Sequence, residues 1–174
     1  MKTTLQNLKE RRSCRSYLPE QITEQELDAV LEAGAYAPTG RGFQAPVLVA
    51  IQDPALIARL ERQNAAIMGT PEGKPFYGAP TVVVVLADKS RPTYLYDGSC
   101  AMCNMLNAAH ALGLGSCWIH RAREEFDSPE GKALLKEWGL EGEYEGIGHC
   151  LLGYPAGDLP APQPRKEGHI LKIR

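Results

Sequence analysis

Between residues 11 and 16 the chain reads RRSCRS, which sets the guanidinium groups of Arg11, Arg12 and Arg15 within five positions and interleaves them with Ser13, Cys14 and Ser16. Forked, permanently charged donors at this density suit an anion that offers several oxygens, a phosphate above all. The protein carries 19 basic against 21 acidic residues and a net charge of −2, so the cluster is a local feature and not part of a general basic surface. The same residues also suit the C-terminal end of a helix, where arginines are solvated and favoured by the dipole. A second basic pair, Arg165 and Lys166, stands near the other end of the chain.

Cys100 and Cys103 form a CxxC and are the other candidate for chemistry. A redox thiol pair wants its first cysteine at a helix N-terminus, where the thiolate is stabilised. Asp97, read as a cap, puts Cys100 in the first turn. Against this, Met102, Met105 and Leu106 mark the segment as a core face, where small buried cysteines are frequent. A structural zinc site would need a second pair at ligand spacing, and Cys14, Cys117 and Cys150 supply none. His110 inside a helical pattern and His149 inside an apolar strand pattern read as core histidines; His120 stands at a strand end and is not assigned as acid or base.

These residues must be held by regular elements, and the signals for them are local. Leu5 and Leu8 behind Thr3 or Thr4 predict a first helix over 4–12 that ends at the arginines. Thr23 with Glu26 three residues on is a capping box, and Leu27, Val30 and Leu31 give that helix an apolar face before Pro38. PVLVAI at 46–51 reads as a buried strand. Asp53-Pro54 opens a helix faced by Leu56, Ile57 and Leu60. The glycine- and proline-rich stretch 69–80 reads as a loop, and 62–79 is the segment expected to cover a site as a short lid at most.

TVVVVLA at 81–87 is apolar on both faces and β-branched, so it belongs in the middle of a covered sheet. From Asp97 to Leu112 the apolar residues recur at helical spacing until Gly113 and Gly115 stop the run. SCWIH at 116–120 is a strand, Ser128-Pro129 starts a helix that ends near Trp138-Gly139, and IGHCLLGY at 147–154 is a final strand. Prolines at 155, 160, 162 and 164 make the remainder an extended arm. The alternation of helices and strands, taken alone, favours a doubly wound α/β fold.

The 174 residues fit one domain, 1–174, with 44% hydrophobic and 23% charged residues, the composition of a soluble globular protein. The charge balance gives no attraction to nucleic acid or anionic membrane. No apolar run of about 18 residues could span a bilayer, and the N-terminus lacks the apolar region of a signal peptide. Five cysteines, an odd number, are expected as reduced thiols in the cytoplasm.

Taken together, RRSCR at 11–15, APTGRGFQAP at 37–46, AHALGLGSCWI at 109–119 and LGYP at 152–155 followed by PRK at 164–166 resemble the FMN-dependent nitroreductase family, in order and spacing from end to end. The resemblance implies an α+β fold with a central mixed, mostly antiparallel sheet flanked by helices, and a homodimer with FMN at the subunit interface and the 155–174 arm exchanged between partners. It implies that Arg11, Arg12, Ser13 and Arg15 contact the flavin mononucleotide, with Arg165 and Lys166 closing over the phosphate. It implies that Pro38, Thr39, Gly40 and Gln44 reach the flavin from the other subunit. Ile119 and His120 match the position that presents backbone N–H groups to the flavin N5, where donors stabilise charge on the reduced ring.

The activity implied is ping-pong hydride transfer from NADH or NADPH through FMN to a nitroaromatic, a quinone or a similar flat acceptor, with no catalytic side chain. Phe43, Phe76 and Tyr77 are candidate walls for that acceptor. Gly40 and Gly42 stand where a serine and an asparagine are commoner, which leaves room for a flavin-binding protein of the same fold without reductase activity. The remaining alternative is a thiol or metal protein centred on Cys100 and Cys103.

Overall fold

A computed structural model describes residues 3–174. The chain runs α1 (Thr4–Glu10), α2 (Glu24–Ala35), a 3-10 turn (Gly40–Gly42), β1 (Pro46–Ile51), α3 (Pro54–Ile67), β2 (Thr81–Asp88), α4 (Tyr94–Ala111), β3 (Gly115–Ile119), α5 (Ala122–Asp127), α6 (Pro129–Glu137) and β4 (Tyr144–Gly153). The four strands form one sheet in the order β1-β2-β4-β3, with every neighbouring pair antiparallel. A single parallel bridge, Ser13 to Ser116, adds the N-terminal segment to the edge at β3. The fold is α+β, and the doubly wound alternative that bare alternation suggests is excluded, because that arrangement requires parallel strands.

β2 shows why the sheet is covered on both sides. Strand side chains alternate between faces. Val82, Val84 and Leu86 therefore join one core with Leu60, Phe76, Phe126, Leu134 and Leu151. Val83, Val85 and Ala87 join the other with Val30, Met102, Met105, Ala109 and Leu152. All six of these strand residues are fully buried. Each of the valines and the leucine so removed from water contributes about 1.5–3 kcal/mol.

The helix starts follow from their caps. The Thr23 and Glu26 capping box closes as the sequence indicates, and Asp53 and Ser128 accept from the backbone of Leu56 and Gly131. Gly113, at φ 84°, takes the left-handed conformation that ends α4.

Several expectations are corrected. α4 begins at Tyr94 behind Thr93, three residues before Asp97. Asp97 is not a cap but a buried residue of the first turn, and Cys100 falls a turn deeper than a thiolate-stabilising position. α3 runs on to Ile67, so residues 62–67 are helix and the connecting loop is shorter than 62–79. α5 has no counterpart in the sequence reading, and β4 starts at Tyr144, three residues before 147. Phe76 is not a wall of any open site; it is buried against the His149 ring at 5.1 Å. His110 is half-buried, not enclosed, in α4.

Candidate functional site

The arginine segment leaves α1 and is stitched to the sheet edge. The Cys14 N–H donates to the Ser116 carbonyl at 2.9 Å, Leu18 N–H to Tyr154 and Ala156 N–H to Ser16. Asn7, buried on α1, donates through Nδ2 to the Asn107 carbonyl of α4 at 2.9 Å, which fixes the helix that delivers the arginines. The Arg12 guanidinium turns back to donate to the Arg11 carbonyl and, at 2.6 Å, to the Lys9 carbonyl.

Arg11, Arg12, Ser13 and Arg15 then line one cavity of about 320 Å³, which Pro160, Ala161, Gln163 and Arg165 close from the C-terminal arm. Four arginines line it, with no aspartate or glutamate among the lining residues. Arg11 Nη1 and Arg12 Nε are buried and lack a hydrogen-bond partner. Buried donors are normally satisfied, so these two nitrogens stand open to an acceptor from outside the chain. Burial pushes the Cys117 thiol beneath the cradle up, while a hydrogen bond with Ser13 and the positive field of Arg15 and Arg11 oppose the rise. Lys166 lies apart from this cavity and lines an adjoining one with Pro164, Arg165 and His169.

Ile119 closes β3, paired with His149 in the ladder, and His120 lies just past it, exposed. Pattern reading does not reveal what holds this corner. Asn64, fully buried on α3, donates through Nδ2 to the His120 carbonyl at 2.9 Å and accepts from Arg121 Nε at 3.0 Å. One turn earlier Glu61 accepts the Phe76 N–H at 2.9 Å, which ties the 68–80 connection down onto the same helix.

Pro38, Thr39, Gly40 and Gln44 lie on another wall. Thr39 and Gln44 line a groove of about 390 Å³ with Leu31, Gly34, Pro46 and Leu48, and this groove shares no lining residue with the arginine cavity. Within the loop the Gln44 N–H donates to Thr39 Oγ1 at 3.1 Å. Asp97 is the second residue that pattern reading missed in its true role: Oδ1 accepts the Gly40 N–H at 3.0 Å and Oδ2 accepts from Thr93 Oγ1 at 2.9 Å. A Cβ on Gly40 would fall 2.3 Å from Thr93 Oγ1, so glycine at this position is a packing requirement of the Thr93–Asp97 pair. Phe43 is half-exposed with the Arg91 guanidinium 4.8 Å over its ring.

All five cysteines are free, and among the described residues no group of three or more His, Cys, Asp or Glu could hold a metal ion. Among the described residues no helix is long and apolar enough to cross a membrane.

Comparison with known proteins places the chain. Residues 8–154 match the model of the Nitroreductase family. A crystal structure of a Bacteroides fragilis nitroreductase with bound FMN superposes with a TM-score of 0.91 at 31% identity, covering 100% of both chains. A Desulfitobacterium hafniense nitroreductase, also with bound FMN, gives a TM-score of 0.88 at 25% identity over 100% of both chains. An Archaeoglobus fulgidus protein with the provisional name NADH dehydrogenase/NAD(P)H nitroreductase is 29% identical over 161 residues, 89% of this chain and 87% of its own.

Proposed function

The chain belongs to the nitroreductase family, and from that membership we propose that it is an FMN-dependent NAD(P)H oxidoreductase passing electrons in ping-pong order to a flat acceptor such as a nitroaromatic or a quinone. The observation that carries this reading is the arginine cavity with its two unpartnered buried guanidinium nitrogens. A phosphate monoester brings close to two negative charges and three acceptor oxygens, which is what these donors lack. The FMN bound by the Bacteroides fragilis and Desulfitobacterium hafniense proteins supports the choice of anion, and the name of the Archaeoglobus fulgidus relative supports NADH or NADPH as donor.

In this reading Arg11, Arg12, Ser13, Arg15 and Arg165 hold the phosphate end, Lys166 adds positive charge from the arm, and Ile119 and His120 turn backbone N–H groups to the ring. FMN, when bound, supplies the hydride chemistry. The chain's own share is to bind, to orient and to exclude water, and no side chain is assigned as acid, base or nucleophile.

The protein acts as a homodimer in this proposal, with Pro38, Thr39, Gly40 and Gln44 approaching the partner's flavin. Two observations support it. The groove lined by Thr39 and Gln44 shares no lining residue with the arginine cavity of the same chain. The arm leaves Ile170, Leu171 and Ile173 at 78%, 81% and 93% exposure, apolar surface that an exchanged arm would cover. Free cysteines accord with a cytoplasmic location.

The test is the visible absorption spectrum of the purified protein, repeated anaerobically with NADH and then NADPH. A flavin band that bleaches establishes the reductase and names its donor. A band that persists would leave a flavin binder without reductase activity, and a colourless chain that cannot be reconstituted with FMN would overturn the proposal.

A further inference from the structure

We infer that Asn64 is a positioning residue for the backbone donors at Ile119 and His120, an inference that rests on the flavin reading above. The corner after β3 is strained: Arg121 sits at φ 77° and ψ 4°, the left-handed region that costs a side-chain-bearing residue about 1 kcal/mol or more. Such a conformation persists only where its surroundings hold it. Ile119 is fixed on one side by its ladder pairing to His149. On the other side a single carboxamide grips the next peptide, donating from Asn64 Nδ2 to the His120 carbonyl and accepting from Arg121 Nε on Oδ1. The two backbone torsions of His120 are thus held between two fixed peptides.

The choice of residue follows from the inventory of side chains. A carboxamide offers a donor and an acceptor on separate atoms of one short, planar, uncharged group, which the two partners on either side of it require. Aspartate at 64 would meet the His120 carbonyl with a second acceptor, and leucine would leave that carbonyl and the guanidinium unpaired. Asn64 is fully buried on the face of α3 that also carries Leu60, so its polar atoms are enclosed and their energy depends on these two partners. A helix more than fifty residues away in sequence thereby sets the aim of the N–H groups.

The test uses Asn64→Leu and Arg121→Met. In cofactor-free protein, amide hydrogen exchange at Glu125, whose N–H donates to the Arg121 carbonyl at 3.1 Å, should rise at least ten-fold in Asn64→Leu while Cys117, inside β3, is unchanged. In the FMN-loaded protein the reduced cofactor should lose about ten-fold of its binding advantage over the oxidised one, read as a two-electron midpoint potential lower by about 30 mV. Arg121→Met, which removes one of the two contacts, should move both readouts the same way by a smaller factor, and it decides the matter if Asn64→Leu does not fold. Unchanged exchange and unchanged potential in a folded, FMN-binding variant overturn the inference. If the unaltered chain binds no FMN, the flavin reading has failed instead, and the exchange experiment still reports whether Asn64 holds the corner.

Discussion

His149 Nε2 lies 2.7 Å from Glu125 Oε2, and the two side chains are 0% and 1% exposed, joining the middle of β4 to α5 inside the core. Phe76 and Phe126 enclose the imidazole at 5.1 and 6.5 Å between ring centres. Removing one member of such a pair strands its partner in an apolar setting. His149→Leu or Glu125→Leu should therefore destabilise the fold by about 3–5 kcal/mol, while the double variant should recover most of the loss. Denaturant melts of the three variants check this; additive losses would mean that the two groups do not act as a pair.

Arg11→Ala should weaken FMN binding ten-fold to roughly a hundred-fold, the size expected for one charge-assisted hydrogen bond of about 1.5–3 kcal/mol. The melting temperature of the cofactor-free chain should hardly change, since Arg11 Nη1 has no protein partner to lose. Flavin fluorescence titration and thermal melts of the apoprotein separate the two effects. An apoprotein melt that falls with FMN affinity unchanged would refute the assignment.

Glu26 accepts from Tyr154 Oη at 2.7 Å and from the Thr23 backbone and hydroxyl, and the Tyr154 bond leads in holding its carboxyl below the ordinary glutamate value. A group with a lowered folded pKa contributes stability above its unfolded value and loses it as pH falls through the folded one. Wild type should therefore exceed Glu26→Gln in stability near neutral pH, by under about 1 kcal/mol because the group is partly exposed to solvent. The gap should close as pH drops below the usual glutamate range. Melts of both proteins across pH 2–7 measure it, and a gap that widens on acidification would contradict the sign.

Gly40→Ser, which restores the residue commoner in the family pattern, should loosen the 38–44 loop, because its Cβ would meet Thr93 Oγ1 at 2.3 Å and Thr93 Cβ at 3.0 Å. Rotating Thr93 away breaks its bond to Asp97, a loss of about 1 kcal/mol. Thr93→Gly in the same chain removes the clash, so the double variant should be more stable than Gly40→Ser alone. A double-mutant cycle by thermal melting gives the coupling, and strict additivity would show that no such clash exists.

Cys100→Ser and Cys103→Ser, singly or together, should leave flavin content and NAD(P)H-dependent reduction within error of wild type. Cys100 lies past the first turn of α4, and neither thiol belongs to a metal-sized cluster among the described residues. Loss of activity in either variant with flavin retained would revive the thiol reading.

Local chemistry made much of this architecture legible. Thr23 with Glu26, Asp53-Pro54 and Ser128-Pro129 each announce a helix because a cap satisfies its own neighbours, and β2 announces itself because both of its faces are apolar. The arginine cradle was legible as a charge pattern, and the family resemblance supplied its far member, Arg165. What escaped detection depends on contacts between distant residues. α5 is six residues long and starts from Arg121 without a side-chain cap. Asp97 resembles a cap, yet it reaches across the fold to Gly40. Asn64 carries a sign only in retrospect, as a polar residue four positions after buried Leu60 on the same helix face.

β3 is an outer strand, and an uncovered strand of that kind is a template for pairing with another chain. Here the backbone of residues 13–18 runs beside it and beside the chain leaving β4, occupying part of that margin through Ser13, Cys14 and Leu18. The stretch that carries the arginines therefore also covers part of this edge against pairing with a strand of another molecule. A change that frees it from Ser116 reaches two properties at once: the arginine cavity opens, and an unpaired strand is offered to neighbouring molecules.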